Sequence, residues 1–309
     1  RVRRRVGEKR FALGVQLLTG SRDPMEVAEA LSRVAEAALS VLVDATLAEF
    51  ERVHGKVPGG ELLVLGLGRL GGGALTHASD LDLVFLFTGD HAAESDGARP
   101  LGATLYFNRL GQRVVAALSV PTAEGALYEV DVRLRPSGKG GMLITRIEAF
   151  EEYQRQEAWT WEHQALLHAR AVAGSTPLRA EFEAVRSRVL TEAVRRDSLR
   201  EEVRSMRERM RRELSKAREG EFDLKQGAGG IADIEFLAQY WTLREAAKQP
   251  IVLMFSDTIR QLETLASGDL VPQHTVDQLT SAYRAYRARS HHRSLREEGT
   301  VIADSEFVA

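Results

Sequence analysis

The chain has 309 residues, with 42 lysines and arginines against 44 aspartates and glutamates, and no cysteine. This length is enough for one large or two ordinary domains with a buried core. The near-neutral charge argues against general nucleic-acid binding, and the absence of cysteine excludes disulfides, thiolate zinc sites and cysteine nucleophiles. No segment approaches the roughly 18 uninterrupted apolar residues of a membrane span. We therefore predict a soluble, cytoplasmic protein that binds neither nucleic acid nor a membrane.

The first predicted element in chain order is a long helix. Asp23-Pro24-Met25-Glu26 has the residues of a helix start, with Asp23 as N-cap, Pro24 at the first helical position and Glu26 where a capping box places its acid. Apolar residues then recur at helical spacing to about His54. We predict an N-terminal helical scaffold over residues 1–56.

A sheet segment follows over residues 57–150. Apolar runs and their breaks predict a helix near 102–118 and strands near 61–67, 81–87, 126–135 and 142–145.

Beyond Arg146 the pattern is helical almost throughout, and we assign residues 151–309 to a helical bundle. Breaks are expected at Gly174, around Arg195, at the glycine loop 227–230 and at Pro250. The predicted fold class is therefore α+β: a mixed sheet with flanking helices, followed by a helical bundle.

An acidic pair opens the second predicted strand. Asp80 and Asp82 are separated by Leu81, and alternate residues of a strand point to the same face, so both carboxylates project together. Such a pair suits a hard cation such as Mg²⁺, which takes a few carboxylate oxygens and keeps positions for water and substrate phosphate. The pair therefore indicates phosphoryl or nucleotidyl transfer.

A third carboxylate is expected on a neighbouring strand. On the predicted strand 126–135, Asp131 alternates with apolar residues and shares a face with Arg133 and Arg135. One acid flanked by two cations indicates a polyanion site. The alternative is a solvated edge strand with ordinary ion pairs.

The glycine run before the acidic pair fits a second template. Gly66, Gly68 and Gly71 match the G-x-G-x-x-G fingerprint of dinucleotide-binding folds. Only eight residues, Gly72 to Ser79, separate this run from Asp80, too few for the crossover helix of that fold. The spacing favours the metal site, with a dinucleotide-binding oxidoreductase as an alternative.

The order of these features resembles the nucleotidyltransferase pattern of the DNA polymerase β superfamily, in which a strand delivers a small turn, a short helix follows, and the next strand carries metal-binding acids. The serine that usually follows the first glycine is Arg69 here, which removes a small hydroxyl donor. The resemblance implies that the turn binds the nucleotide through backbone amides and nearby side chains. The residues expected to do so are Gly68, Arg69, Gly71, Gly72 and Ser79.

Longer motifs resemble one family, glutamine synthetase adenylyltransferase. They are Leu134-Arg135-Pro136-Ser137-Gly138, the run from Glu157 to Leu166, and Asp223-Leu224-Lys225 followed by the run from Gly229 to Phe236. That family carries two related units, one attaching AMP to glutamine synthetase and one removing it by phosphorolysis. The Arg-Pro-Ser-Gly and Trp-Glu-His-Gln-Ala-Leu sequences are similar to the attaching unit, whereas the removing unit typically has Arg-Pro-Phe-Gly and Trp-Glu-Arg. Because the chain begins at Arg1 and not at methionine, we expect a piece of a larger enzyme.

The resemblance implies Mg²⁺-dependent transfer of AMP from ATP to a tyrosine of glutamine synthetase, with release of pyrophosphate and lower nitrogen assimilation. Asp80 and Asp82 would hold two Mg²⁺ ions about 3.5–4 Å apart, and Asp131 would complete the site of the ion that activates the tyrosine hydroxyl. Glutamine synthetase is the expected partner, and the nitrogen-signalling PII protein is expected to act through the full-length enzyme. AMP removal and a catalytically inactive regulatory module stay open as alternatives.

The loop from Lys225 to Gly230 is a further phosphate-binding candidate. Lys225, together with Arg133 and Arg135, would neutralise the triphosphate. The alternative is a helix-to-helix turn whose glycines serve only positive φ.

Other residues of the helical half are assigned structural places. Trp159 and Trp161 are expected in the core, and Glu162 and His163 behind the site, while Asp233 and Glu235 have no assigned role. The Arg- and Glu-rich run 199–218 is expected to be a solvated helix that packs through Val203, Met206, Met210 and Leu214. His291 and His292 are expected at the surface because adjacent helical positions point about 100° apart.

Overall fold

A computed structural model describes residues 1–306, without the side chain of Lys139. The helices are α1 (Val2–Leu18), α2 (Pro24–His54), α3 (Gly68–Gly71), α4 (Ala103–Ser119), α5 (Ile147–Gln156), α6 (Thr160–Leu167), α7 (Thr176–Arg188), α8 (Arg196–Leu214), α9 (Ile231–Glu245), α10 (Thr258–Ser267) and α11 (Gln273–Leu295). The strands are β1 (Leu62–Gly66), β2 (Leu81–Phe87), β3 (Val130–Asp131), β4 (Ile144–Arg146), β5 (Arg170–Ala173), β6 (Glu221–Asp223) and β7 (Val301–Ala303). The last three positions of the predicted bundle, 307–309, lie outside the described residues. Within the described range, no helix is long and apolar enough to cross a membrane.

The main sheet is mixed, with strand order β3-β2-β1-β5 and with β4 also paired to β2. β2 runs antiparallel to β1 and parallel to both β3 and β4. A dinucleotide-binding fold would join its first two strands in parallel through a crossover helix. The antiparallel β1–β2 pair therefore overturns that alternative, and the mixed sheet confirms the predicted α+β class.

Both faces of the sheet are buried, which is why β1 and β2 are apolar at nearly every position. Leu63 and Leu65 contribute to one hydrophobic cluster, with helices from α5 onward. Leu62 and Val64, the alternate residues, contribute to the other, with α1, α2 and α4.

The N-cap and the N-terminal proline of α2 are as predicted, whereas no capping box forms through Glu26 in the part of the chain that the structure describes. The Asp23 carboxylate accepts hydrogen bonds from the amides of Met25 (2.8 Å) and Glu26 (3.4 Å), which satisfies two of the first free N–H groups. The Glu26 carboxylate pairs with Arg22 (3.2 Å), the residue before the cap. The long helix is therefore fixed at its N-terminus, beside the cavity described below.

The predicted strand 126–135 is wrong in extent, because regular pairing stops at Asp131. The Asp131 carboxylate accepts the backbone N–H of Arg133 at 2.8 Å, which closes a turn in place of the next strand residues. The strand alternation therefore ends at Asp131, and the prediction that Asp131 and Arg135 share a strand face is wrong.

The second half contains more strand than predicted. β5 adds to the main sheet by pairing antiparallel with β1, and β6 and β7 form a separate two-stranded ribbon. The predicted breaks at Gly174, Arg195, 227–230 and Pro250 all fall between α-helices, and Pro250 opens a short 3₁₀ helix, Pro250–Leu253. The division at residues 56 and 150 stays a prediction, and β5, from the third predicted segment, belongs to the sheet.

Candidate active site

A cavity of about 1330 Å³ opens beside the end of β1 and the start of β2. The turn from Gly68 to Ala74 and the acids of β2 and β3 line one side. Residues of α2, α6, α8, α9, α10 and α11 line the others. The cavity thus lies between the sheet and the helical second half.

Three carboxylates meet at the sheet side of this cavity. Asp80 directly precedes β2, Asp82 is its second residue, and Asp131 pairs with Asp82 in the parallel β2–β3 ladder. One carboxylate oxygen of each lies within 4.8 Å of one of each of the others. The strand pairing therefore produces an oxygen set of the kind that binds a divalent cation.

Burial and mutual repulsion both disfavour the ionised form of Asp82 in this cluster. Burial, followed by repulsion from Asp80 and Asp131, raises the pKa of Asp82 from 3.8 to about 6. Arg69 and Lys225 act in the opposite direction but do not cancel this shift. A cation among the three carboxylates would remove the repulsion.

Gly68 gives the Asp82 carboxylate its space. Its φ is +50°, and a Cβ at this position would lie 2.4 Å from Asp82 Oδ2. The Leu67 amide also donates to the Asp82 carbonyl at 3.0 Å, which holds the turn against the start of β2. Glycine is therefore required here for its positive φ and for the close approach of a proposed metal ligand.

Gly71 and Gly72 shape the same turn. Their amides donate to the carbonyls of Leu67 (2.9 Å) and Gly68 (3.0 Å), as in one turn of helix. A Cβ on Gly71 would lie 1.8 Å from the carbonyl oxygen of His168, so this glycine allows the turn to pack on the end of α6. Both glycines line the cavity, and their contact with nucleotide stays a prediction.

Arg69 takes the place of the usual small hydroxyl residue and is held by hydroxyl groups. Its Nη1 donates to Thr76 Oγ1 (3.4 Å) and Ser79 Oγ (3.3 Å), and Ser79 Oγ accepts the Thr76 amide at 2.9 Å. Burial, followed by the charge of Arg287, lowers the pKa of Arg69. Ser79 therefore orients Arg69 at the cavity wall.

Two more cations, Lys225 and Arg287, face the acids from the helical side. Both line the cavity, and burial followed by the charge of Arg69 lowers the pKa of Lys225. Arg287 is 3% exposed, donates to the Ala74 carbonyl, and has no hydrogen-bond partner for Nε among the described residues. Arg287 is buried, Arg69 and Lys225 are half-buried, and these three mutually repelling cations form a site suited to a polyanion.

Glu235 balances part of this charge. It lines the cavity and accepts a hydrogen bond from the hydroxyl of Tyr283 at 3.0 Å. Burial, followed by the charge of Glu235, raises the pKa of Tyr283, which therefore remains a neutral donor. The carboxylate of Glu235 is thus held in place between α9 and α11.

Arg133 and Arg135, predicted on one face with Asp131, separate at the turn. Arg133 lines the cavity and donates to Asp131 through its amide and through Nε (2.7 Å). Arg135 instead donates to the carbonyls of Val132 (2.7 Å) and Gly141 (3.2 Å) and is not among the residues that line the cavity. The structure therefore brings Arg133 to the acids, while Arg135 supports the loop that follows.

Asp233 organises the glycine loop. Its carboxylate accepts hydrogen bonds from the Gly229 amide (2.6 Å), Arg207 (2.6 Å) and Arg211 (2.8 Å). Burial alone would raise the pKa of Asp233, but the Gly229 amide and the two arginines lower it overall. Gly229 has φ +79°, so the loop uses the positive φ that the sequence predicted.

The expectation that both tryptophans are core residues is wrong. Trp159 is 66% exposed at the N-cap of α6, and Trp161 is 36% exposed and lines the cavity. Glu162 is buried and accepts hydrogen bonds from the Trp159 amide and the Tyr153 hydroxyl, both at 2.9 Å. His163 is buried against the Gln154 carbonyl. These two residues hold the N-terminus of α6 in position.

Two other expectations are corrected. His291 is buried, not at the surface, because α11 packs on α2, where His291 contacts the Pro24 carbonyl. Burial, followed by nearby His77, lowers its pKa to about 4. On α8, Leu214 is 49% exposed and the predicted stripe is interrupted by buried Arg207, which binds Asp233.

Sequence reasoning missed the cavity residues of the late helices. Arg287 stands on α11, more than 150 positions after the last of the acids, with nothing in its local sequence to mark it. On α9 a signal was present. Ile231, Glu235 and Gln239 recur every four residues on a helix that is otherwise largely apolar, and all three line the cavity.

The α+β fold built around this cavity is that of the nucleotidyltransferases. A family model described as glutamate-ammonia ligase adenylyltransferase matches residues 1–185, and a model described as GlnD PII-uridylyltransferase matches residues 197–301. The first covers more than half of the chain. The chain therefore belongs to the glutamate-ammonia ligase adenylyltransferase family, glutamate-ammonia ligase being another name for glutamine synthetase.

Individual relatives agree with this assignment. Proteins named bifunctional glutamine synthetase adenylyltransferase/adenylyl-removing enzyme are similar to the chain in Pseudomonas putida (41% identity), Pseudomonas aeruginosa (41%) and Pseudomonas syringae pv. tomato (42%). Each comparison covers 94% of this chain and 32% of the relative. The chain thus spans about a third of the length of the curated relatives that it matches.

Proposed function

We propose that the chain transfers AMP from ATP to a tyrosine of glutamine synthetase and releases pyrophosphate. The observation that carries this proposal is the cavity in which three clustered carboxylates face the cations Arg69, Lys225 and Arg287, in a chain of this family. Acids that bind a metal and cations that bind phosphate are the two requirements of nucleotidyl transfer.

The acidic cluster fits Mg²⁺. Asp80, Asp82 and Asp131 offer oxygen ligands only, at the paired start of β2 and β3, and a bound cation would relieve the repulsion that, after burial, raises the pKa of Asp82. These residues would hold two Mg²⁺ ions. The ions would polarise the phosphate and favour ionisation of the attacking hydroxyl.

The cations act on the triphosphate. Arg69, Lys225 and Arg287 approach from the turn, the glycine loop and α11, so that β- and γ-phosphates would be neutralised from several sides. These cations are in position before ATP binds. Such an arrangement stabilises the charge that develops on the leaving pyrophosphate. Arg133, on the rim beside Asp131, would contribute from the sheet side.

The reaction exchanges one bond to phosphorus for another. The tyrosine oxygen forms a bond to the α-phosphorus while the bond from that atom to the bridging β-oxygen breaks, and the electron pair leaves with pyrophosphate. The phenolic proton passes to solvent. Asp131, the acid nearest Arg133, is assigned to the nucleophile's side of the site, and the Gly68 turn to the triphosphate's side.

The same proposal includes the wider context of the enzyme. Glutamine synthetase is the protein substrate, and modifying it lowers nitrogen assimilation. The PII protein would regulate the activity through the full-length enzyme. The match of residues 197–301 to a PII-uridylyltransferase model supports a link to nitrogen signalling. A cytoplasmic location follows from the same partners.

A direct test is to incubate the chain with ATP labelled in the adenine, Mg²⁺ and purified glutamine synthetase, and to map the label by peptide mass spectrometry. We expect one tyrosine to gain the mass of AMP and pyrophosphate to appear in equal amount. The Asp82→Asn variant, which keeps the side-chain size, should transfer no label.

The AMP-removing alternative is distinguished in the same assay. Adenylylated glutamine synthetase and inorganic phosphate replace the unmodified protein and ATP. Release of ADP at a rate above that of AMP transfer would reassign the chain to the removing activity, and label transfer in the Asp82→Asn variant would refute the metal assignment.

A further inference from the structure

One part of the cavity wall differs in character from the metal and phosphate side. α6, α8 and α9 pack against one another and present apolar residues to the cavity. These residues are Trp161, Ala165, Met206, Met210, Ile231 and Phe236. On α6, Trp161, Gln164, Ala165 and His168 follow the i, i+3, i+4, i+7 spacing of a single helix face. An aromatic and methionine surface beside a phosphate site is suited to the flat ring of a nucleotide base.

A chain of side-chain hydrogen bonds crosses this wall. The Gln164 amide nitrogen donates to Gln239 Oε1 (2.7 Å), Gln239 Nε2 meets His168 Nε2 (2.9 Å), and His168 Nδ1 meets the Ser256 carbonyl (2.6 Å). Ser256 Oγ in turn donates to the Gly71 carbonyl at 2.9 Å. This series of hydrogen bonds therefore runs from the glycine turn to Gln164, which lies one helical turn, about 6 Å, from His168.

The donor and acceptor of each hydrogen bond in this series follow from the Ser256 carbonyl. The Ser256 carbonyl can only accept, so His168 Nδ1 carries the proton, and in this tautomer His168 Nε2 accepts from Gln239 Nε2. Gln239 has then used its NH₂ group on His168, and its oxygen must accept from Gln164. The orientation of the Gln164 amide is thereby fixed.

The consequence is a hydrogen-bond acceptor of known orientation. Gln164 is 4% exposed, and its Oε1 accepts no hydrogen bond among the described residues, while the side chain lines the cavity. An unpartnered acceptor at the cavity wall, beside an aromatic surface, favours a ligand that brings an N–H group. Adenine presents an amino group at position 6, where a 6-oxopurine presents a second acceptor.

We infer that α6, α8 and α9 form the base subsite, in which Gln164 Oε1 accepts the 6-amino group of adenine and so selects ATP over 6-oxopurine nucleotides. Gln239 and His168 are positioning residues that prevent the Gln164 amide from turning over. This inference rests on the proposed use of a nucleoside triphosphate and adds the choice of base.

The test compares three triphosphates that differ at position 6. Mg²⁺ complexes of ATP, purine riboside triphosphate and inosine triphosphate are titrated into the protein by calorimetry, with Mg²⁺-tripolyphosphate as a ligand that has no base. We expect ATP to bind roughly three- to tenfold more tightly than the purine riboside, the effect of one hydrogen bond, and more than roughly tenfold more tightly than the inosine nucleotide, whose oxygen would face Gln164 Oε1.

The variants separate recognition from positioning. In Gln164→Met the three nucleotides should converge to within about twofold, because no acceptor remains. In Gln239→Met the Gln164 amide is free to rotate and donate to a 6-oxo group, so the ATP preference over inosine triphosphate should fall in the same way. Gln261→Met removes another buried amide, on α10 and outside the cavity, and should leave the preference of the wild type. Tripolyphosphate binding should be unchanged in all three.

Two outcomes would overturn the inference, and they are distinguishable. A Gln164→Met variant that keeps the wild-type ratio of ATP to inosine triphosphate affinity, with normal tripolyphosphate binding, refutes the base subsite and leaves the proposed function intact. A wild-type protein that binds neither ATP nor tripolyphosphate with Mg²⁺ refutes both. If circular dichroism shows that the methionine variant does not fold, Gln164→Asn, which withdraws the acceptor by one methylene, serves in its place with the same expectation.

Discussion

Replacing Gly68 by alanine should separate the folding role of the glycine turn from its role at the metal site. An alanine Cβ would lie 2.4 Å from Asp82 Oδ2, on a backbone with φ +50°. The nearest atom belongs to the end of a side chain, so the carboxylate can move away more easily than the backbone. We expect Gly68→Ala to fold, with Asp82 displaced from the other two acids.

Two neighbouring glycines supply the controls. Gly73 has φ +64° but nothing within 4 Å of its Cβ position, so Gly73→Ala carries the backbone strain alone. Gly72 has φ −78°, and the atom closest to its Cβ position is the Gly68 carbonyl oxygen, at 3.3 Å. Gly72→Ala therefore adds no positive-φ strain and does not crowd Asp82. Positive φ costs alanine roughly 1–2 kcal/mol, and we expect this loss in the free energy of unfolding for Gly68→Ala and Gly73→Ala but not for Gly72→Ala.

Metal binding should distinguish the two strained variants. Groups that position a metal ligand typically contribute about 10- to 100-fold to affinity, so Gly68→Ala should lose that factor in Mn²⁺ affinity, followed by electron paramagnetic resonance of the free ion. Gly73→Ala should bind Mn²⁺ as the wild type does. Equal Mn²⁺ affinity in these two variants, with equal stability by urea denaturation, would refute the reasoning that Gly68 is needed for the approach of Asp82.

Further predictions concern the charged residues of the cavity. The pKa of Asp82 in the native state is about 6, against 3.8 for an ordinary aspartate, so ionised Asp82 destabilises the metal-free protein. Above about pH 6, Asp82→Asn should therefore be more stable than the wild type by up to about 3 kcal/mol. This gain should vanish near about pH 4. Mg²⁺ should stabilise the wild type and not this variant in thermal denaturation at pH 7. Lys225→Ala should weaken Mg²⁺-ATP binding by roughly ten- to a hundredfold, with little change in melting temperature because its removal also relieves repulsion from Arg69 and Arg287. Asp131→Asn should lower the transfer rate strongly while ATP affinity stays within a few-fold, as measured by single-turnover kinetics and calorimetry.

Each of these predictions has a contradicting result. A wild type and an Asp82→Asn variant with parallel stability curves from pH 4 to 7 would mean that burial and the neighbouring acids do not raise the pKa of Asp82. Unchanged ATP affinity in Lys225→Ala would leave Arg69, Arg133 and Arg287 as the phosphate partners. Loss of ATP binding in Asp131→Asn would assign Asp131 to the nucleotide-holding metal or to the fold. Gly229→Ala, with φ +79° and open space around its Cβ, is a loop control that should lose stability but not ATP contacts.

The elements that sequence reasoning located correctly are those in which local chemistry decides the structure. α2 has an N-cap and an N-terminal proline, and β1 and β2 are apolar runs bounded by glycine and aspartate. The acidic pair could be placed on one face because strand alternation is a local rule. These features required no knowledge of distant residues.

The errors arose where a tertiary contact or a side chain overrode the local pattern. The strand predicted to Arg135 stops at Asp131 because the carboxylate of that residue captures the amide of Arg133. β5 has only four residues and depends on pairing with β1 for its existence as a strand. His291 is buried only because α11 returns to the start of α2. Neighbouring sequence cannot reveal any of these events.

The same long-range assembly explains why the candidate site spans the two segments that match different family models. The carboxylates and Arg69 lie within residues 1–185, whereas Lys225, Glu235 and Arg287 lie within 197–301. The Arg287 guanidinium donates to the carbonyl of Ala74, and Ser256 donates to the carbonyl of Gly71, so the helical segment holds the glycine turn as well as supplying cations. The first segment alone would therefore keep the acids and Arg69 but lose Lys225, Arg287 and the supports of the turn that positions Asp82. The proposed phosphate site therefore depends on the contact between the two segments.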